Sequence, residues 1–199
     1  GSGTYYVKRL TIKRWFTVIL SFWLTIGMVF PLLAAEEIKI REFSFTPLDN
    51  DPDVLLANLK LDYDLGNYLR EGLLNGMTLE SEIHFDLEWH SDWWWNTRKS
   101  LAVVKSELKY HALSQHYQLL RLDTNENWNF STLTSALERM GTLKDYMLPA
   151  LPTEAHHNNA SIVVYSRLAP KALQLPLKIQ KLFAERDSLE SEGVVWSIP

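Results

Sequence analysis

The segment Met77-Thr78-Leu79-Glu80-Ser81-Glu82-Ile83-His84-Phe85-Asp86-Leu87-Glu88-Trp89-His90 decides the fold. Met77, Leu79, Ser81, Ile83, Phe85, Leu87 and Trp89 alternate with Thr78, Glu80, Glu82, His84, Asp86, Glu88 and His90. Side chains of a strand point alternately to its two faces, so this period of two predicts one packed and one wet face. A strand wet on one side belongs in an antiparallel sheet, since the parallel sheet of a nucleotide-binding fold is covered on both faces.

After a break at Ser91 to Lys99, Leu101 to Tyr110 repeats the pattern. Ala102, Val104, Ser106, Leu108 and Tyr110 share one face, and Lys105, Glu107 and Lys109 share the other. The two segments are expected to form a long hairpin with the acidic wet face of the first beside the basic wet face of the second. Such cross-strand ion pairs are individually weak but help to fix register.

Five shorter strands are predicted at Ile38 to Phe45, Val54 to Asp62, His116 to Leu122, Ser161 to Arg167 and Val194 to Ile198, on β-branched and aromatic content more than on periodicity. Leu65, Tyr68, Leu69 and Leu73 recur at helical spacing before the stop Asn75-Gly76, and Phe130, Leu133, Leu137 and Met140 do so before Gly141. A third helix can start at Pro176 and run to Glu185, with proline in its first turn. Met147 to Asn159, with two prolines and His156-His157, reads as a surface loop. The fold class is α+β: mainly antiparallel sheet, with a sandwich as one way to fold it, and two or three short helices.

The first 35 residues are of another kind. Lys8, Arg9, Lys13 and Arg14 precede an apolar run from Trp15 to Leu33, followed by Ala34-Ala35 and the acidic Glu36-Glu37. This is the pattern of a bacterial export signal, with basic residues left on the cytoplasmic side and small residues at a cleavage site. The same run approaches the length of a bilayer span, so an uncleaved anchor to the inner membrane is the alternative. Both place residues 36–199, read as a single domain, in the periplasm. Gly1 to Val7 lack an initiator Met and read as a scar or an upstream start.

Residues 36–199 carry 16 basic and 24 acidic side chains, a formal charge of -8. That balance disfavours nucleic acid and anionic lipid as general partners. Cysteine is absent, which excludes disulfide staples, cysteine nucleophiles and thiolate metal sites.

Little chemistry is legible. His84 and His90, with Asp86 and Glu88, share one strand face and are the candidate metal ligands, but a solvated strand face contains the same residues. His111 and His116 bracket a turn without recognised ligand spacing. There is no Gly-x-Ser-x-Gly elbow and no phosphate-binding glycine loop. No catalytic residue, metal ligand or cofactor is assigned, and an enzyme is the less favoured reading.

Trp93-Trp94-Trp95, in the break between the two longest strands, is the candidate interaction feature. Three successive indoles on a connection cannot all enter one core, so the cluster suits docking on a protein or on the membrane interface. The alternative tucks two indoles against the sheet rim, with Arg98 stacked on one. Tyr110, His111 and Tyr117 are the second candidate: the tyrosines close one strand and open the next, and His111 to Gln115 form a polar turn.

Leu61-Asp62-Tyr63-Asp64-Leu65, Leu73 to Leu79, Trp93-Trp94, the block Leu108 to Tyr117, and Ser131 to Leu143 together resemble an exported proteobacterial family, domain of unknown function 4390. Its most specific part is Tyr110 to Tyr117. Leu175-Pro176-Leu177 also fits, whereas Ala169-Pro170-Lys171 departs from the acidic character the resemblance leads one to expect. The resemblance implies a signal or anchor followed by one periplasmic domain. It brings no catalytic residue with it, and its association with sensor-kinase genes suggests a regulatory or envelope-accessory role. An extracytoplasmic interaction domain contacting an envelope or inner-membrane protein is therefore expected. A periplasmic ligand-binding protein or hydrolase using a histidine and carboxylate site is the alternative.

Overall fold

Alternation makes Leu79–His90 a central strand. In the computed structural model, which describes residues 37–90, 96–153, 155, 159–171 and 188–198, Leu79, Ser81, Ile83, Phe85 and Leu87 are all buried. The described residues fall within the compact unit Ala35–Pro199. Their order is β1 (Glu37–Leu48), β2 (Asp51–Asp64), α1 (Asn67–Leu74), β3 (Leu79–His90), β4 (Asn96–His111), β5 (His116–Arg121), β6 (Asn127–Phe130), α2 (Leu133–Met140), β7 (Thr142–Met147), β8 (Ser161–Pro170), β9 (Leu189–Glu190) and β10 (Val194–Ser197).

Two antiparallel sheets result. The larger has the order β10-β8-β3-β4-β5-β6, with β9 also on β8, and the smaller is β1-β2-β7. The expected long hairpin is β3–β4, paired from Leu79 with Leu108 to His90 with Asn96. The sheets pack inner face to inner face: Phe45 of β1 meets Phe85 of β3 edge-on at 6.2 Å, and Tyr146 of β7 stacks on Phe85 at 6.3 Å. The fold is an α+β sandwich with two helices among the described residues.

Both helices end where the sequence predicts. The amide of Met77 bonds the Gly72 carbonyl at 2.8 Å and that of Gly76 the Leu73 carbonyl at 3.1 Å, closing α1 through Gly76 at φ 92°, a conformation that glycine adopts without a Cβ penalty. Leu65, Leu69 and Leu73 are buried as expected, but Tyr68 is exposed, because α1 presents only a narrow apolar stripe. Phe130 is not helical. It ends β6, and Thr132 caps α2 by accepting a hydrogen bond from the Ser135 amide at 3.3 Å.

The reading of Met147 to Asn159 as a surface loop is corrected. Met147 belongs to β7, and Leu148, Leu151 and Ala155 are buried. The amide of Leu148 bonds the Leu55 carbonyl at 2.9 Å and that of Leu151 the Asp53 carbonyl at 2.8 Å, so this segment continues alongside β2 despite its prolines. Strands β6, β7 and β9 were not predicted. β7 is concealed by Asp145 at φ 47°, where a register shift opposite Ala57–Leu59 breaks the alternation. The third predicted helix, at 176–185, lies outside the described residues, as does the apolar run of the first 35. No described helix is long and apolar enough to cross a membrane.

Candidate functional site

Pairing of β4 with β5 sets Tyr110 opposite Tyr117 and His111 opposite His116, with Lys109 opposite Gln118. The two couples point to opposite faces of the hairpin. Tyr110 and Tyr117, their ring centroids 4.8 Å apart, lie on the inner face and pack against the hydrophobic core. His111 and His116 stack at 4.9 Å on the outer face, and His111 Nε2 lies 2.8 Å from Gln118 Oε1. The turn between them is predicted as polar, yet it carries Leu113, which is fully exposed at its tip. Gln115 completes the turn at φ 51°.

The candidates Tyr110, His111 and Tyr117 are therefore brought together at one hairpin end, the tyrosines as anchors and the histidine as surface. Trp93, Trp94 and Trp95 lie outside the described residues.

A second cluster occupies the outer face at β3, β4 and β8. Lys105 Nζ is 2.5 Å from Glu82 Oε1, and His84 Nε2 is 3.1 Å from Glu82 Oε2. The His84 ring lies parallel to that of Tyr165 at 4.6 Å, and the Arg98 guanidinium stands 5.3 Å from the same tyrosine ring. Arg98 Nε also reaches Asp86 Oδ2 at 3.2 Å and Glu88 Oε2 at 4.0 Å. The predicted pairing of acidic and basic wet faces is thus present, through regular register at Glu82 and Lys105 and through a bulge at Arg98.

Between Phe85 and Asp86 the register shifts, so that Phe85 faces Ala102 while Asp86 faces Ser100. The extra residue on β4 reverses which residues point outward and puts Arg98 on the side of Asp86 and Glu88. The wet face is less wet than predicted: Asp86 and Glu107 are buried. Burial is tolerated because Glu107 pairs with Lys109 and Lys171, and Asp86 with Arg98.

Electrostatics follow these contacts. Burial pushes the Glu82 carboxyl up, but the hydrogen bonds and charges of Lys105 and His84 outweigh it and hold the group below the usual value. Tyr165 is pushed up by burial and by the Asp86 charge. The carboxylates expected to accompany His84 in a metal site are instead held by cations. Among the described residues no group of three or more His, Asp or Glu side chains is arranged to hold a metal ion. Two open grooves, about 630 and 420 Å³, flank Lys60 and Glu138 beside the smaller sheet and α2, and neither is lined by His84 or His111.

What these elements define is a class: a two-sheet antiparallel α+β sandwich whose polar side chains cross-link one sheet face and whose β4–β5 hairpin ends in an exposed leucine. Within that class, the family model "Domain of unknown function (DUF4390)" matches residues 35–197, and the chain belongs to this family. No curated protein and no solved structure matches it.

His116, Gln118, Leu113 and Tyr165 were not singled out as site residues. Tyr165 could have been found from the alternation in Ser161 to Arg167, which places it with Arg167 on one face.

Proposed function

We propose that this domain is an extracytoplasmic interaction module, delivered to the periplasm by its N-terminal segment as a released or tethered protein, and that it contacts an inner-membrane protein through the β4–β5 hairpin end. The observation that carries the reading is Leu113, fully exposed on a turn whose flanking strands are clamped by the core-packed Tyr110 and Tyr117. A contact residue on a loop held by a rigid scaffold loses little conformational freedom on binding, which favours recognition there. The surplus of acidic side chains over residues 36–199 supports a protein partner over anionic lipid or nucleic acid.

The hydrolase or ligand-binding alternative rests on the Glu82–His84 contact of 3.1 Å. Lys105 on the other Glu82 oxygen and Tyr165 against the imidazole make that pair a cross-link of the sheet. The test is a photo-crosslinking residue at position 113 of the full chain in its native envelope, with position 195 on β10 as comparison. Recurrent capture of one inner-membrane protein at 113 alone, abolished by competition with unlabelled wild-type chain, is the expected result. Capture of lipid only, or equal capture at both positions, overturns the proposal.

A further inference from the structure

We propose that His111 and His116 form a binding site for a first-row divalent transition-metal ion, of the Cu²⁺, Ni²⁺ or Zn²⁺ class, on the outer face of the β4–β5 hairpin. The site stands independently of the partner contact proposed above. Four intervening residues, Ala112 to Gln115, do not resemble a ligand spacing, but the hairpin makes the two histidines direct cross-strand partners. Opposed residues of an antiparallel pair have Cβ atoms roughly 5 Å apart, a span that two imidazoles can close on one ion with bonds of about 2.0–2.1 Å. Their rings stand side by side, 4.9 Å between centroids and 26° between planes. Because an imidazole ligates through a lone pair in its ring plane, binding turns the His116 ring out of the stack towards the ion while Gln118 holds His111.

Gln118 supplies the orientation that metal-bound histidines ordinarily require. With the amide oxygen accepting from His111 Nε2–H at 2.8 Å, the imidazole is held in the tautomer that leaves the Nδ1 lone pair for a metal. Imidazole nitrogen is the donor that Zn²⁺, Cu²⁺ and Ni²⁺ share, and among them Cu²⁺ binds a given nitrogen site most tightly. The neighbouring cation on this face, Lys109, is drawn towards Glu107 at 3.6 Å. His111 is exposed, which gives an ion its entry path, and the coordination positions left open by two protein ligands fall to water. His84 makes the contrast: its cross-strand partners are Val103 and Tyr165, so no second imidazole stands opposite it, and its Nε2 is engaged by Glu82.

The experiment is a Cu²⁺ titration of the full chain, without a polyhistidine tag and in detergent, followed by calorimetry and by electron paramagnetic resonance, and repeated with Zn²⁺. One ion per chain is expected, with a spectrum showing two coordinating nitrogens. His111→Gln and His116→Gln should each weaken binding by about 10-fold or more and reduce the nitrogen count to one. Gln118→Leu should cost about 10-fold while keeping both nitrogens, as loss of an orienting partner does. The double variant His156→Gln/His157→Gln should bind as wild type. Circular dichroism of each variant verifies that the fold is intact. Undiminished binding in both single histidine variants, loss of binding in the His156/His157 variant, or no binding up to about 1 mM Cu²⁺ overturns the assignment.

Discussion

The Tyr63 hydroxyl lies 2.8 Å from Ser81 Oγ, a polar contact between the two sheets in the middle of the core. The same hydroxyl is 3.1 Å from Ser166 Oγ on β8, and all three side chains are buried. Burial, only partly offset by the two serines, holds the phenol above its ordinary pKa and therefore neutral. Tyr63→Phe keeps the ring but leaves two buried serine hydroxyls short of a partner, a loss of about 1–2 kcal/mol. Urea unfolding should show a lower midpoint at unchanged slope. An unchanged midpoint would show that the serines find partners elsewhere.

Gly141 ends α2 where β2 passes closest. Its carbonyl accepts from the Leu61 amide at 2.8 Å, and a Cβ on Gly141 would fall inside the van der Waals radius of the Leu61 carbonyl oxygen. Both atoms in that clash belong to, or are fixed by, the backbone, so no rotamer relieves it. Gly141→Ala is expected to cost about 2 kcal/mol or more, read as a fall in thermal midpoint. Gly76→Ala meets no neighbour but is strained by φ 92°, and should cost about 1 kcal/mol.

Arg121 is buried with Nε and Nη2 lacking an acceptor among the described residues. Its guanidinium lies 5.6 Å from the Trp128 ring, which Arg139 approaches at 4.3 Å. Burial and the Arg139 charge both lower its pKa, the mark of a cation held where charge is disfavoured. Arg121→Met keeps the apolar stem and removes the charge, and should leave stability unchanged or raise it by about 1 kcal/mol. A drop of the urea midpoint by an amount worth about 2 kcal/mol would refute this.

The Glu82 carboxyl titrates below its unfolded value because Lys105 and His84 together outweigh its burial. A depressed acid contributes stability above its unfolded pKa, near 4.5, and that contribution is lost as pH falls through the lower folded value. Lys105 is nearly half exposed, so the contribution is under about 1 kcal/mol. Glu82→Gln should flatten the acid limb of the stability profile below about pH 5 and lower stability slightly at neutral pH. An acid limb identical to wild type would show that the contact does not persist in solution.

Much of the larger sheet was legible because β3 keeps one strict alternation, and alternation is a direct image of burial on one face. Where a strand carries an extra residue, that image is lost. β1 shifts register between Ile40 and Glu42, so Ile38 and Phe45 both point inward although their spacing is odd. β4 does the same opposite Phe85 and Asp86, where Leu101 is the extra residue, and so turns Arg98 to the outer face against the alternation of the rest of the strand. β7 and the buried segment after it escaped notice because Asp145, Pro149 and Pro152 are turn-forming residues, while the burial of Leu148 and Leu151 comes from pairing with β2, nearly a hundred residues earlier in the chain.

Sequence by itself determined the antiparallel α+β class, the β3–β4 hairpin, the helix stops and the family resemblance, since each is written in neighbouring residues. Tertiary structure alone decided which polar residues meet. The side that His111, His116 and Gln118 share, the stacking of His84 on Tyr165, and the tie from Tyr63 to Ser81 and Ser166 all depend on strand register. Register is fixed by packing and bulges between distant segments, and a shift of a single residue would turn each of those side chains to the opposite face.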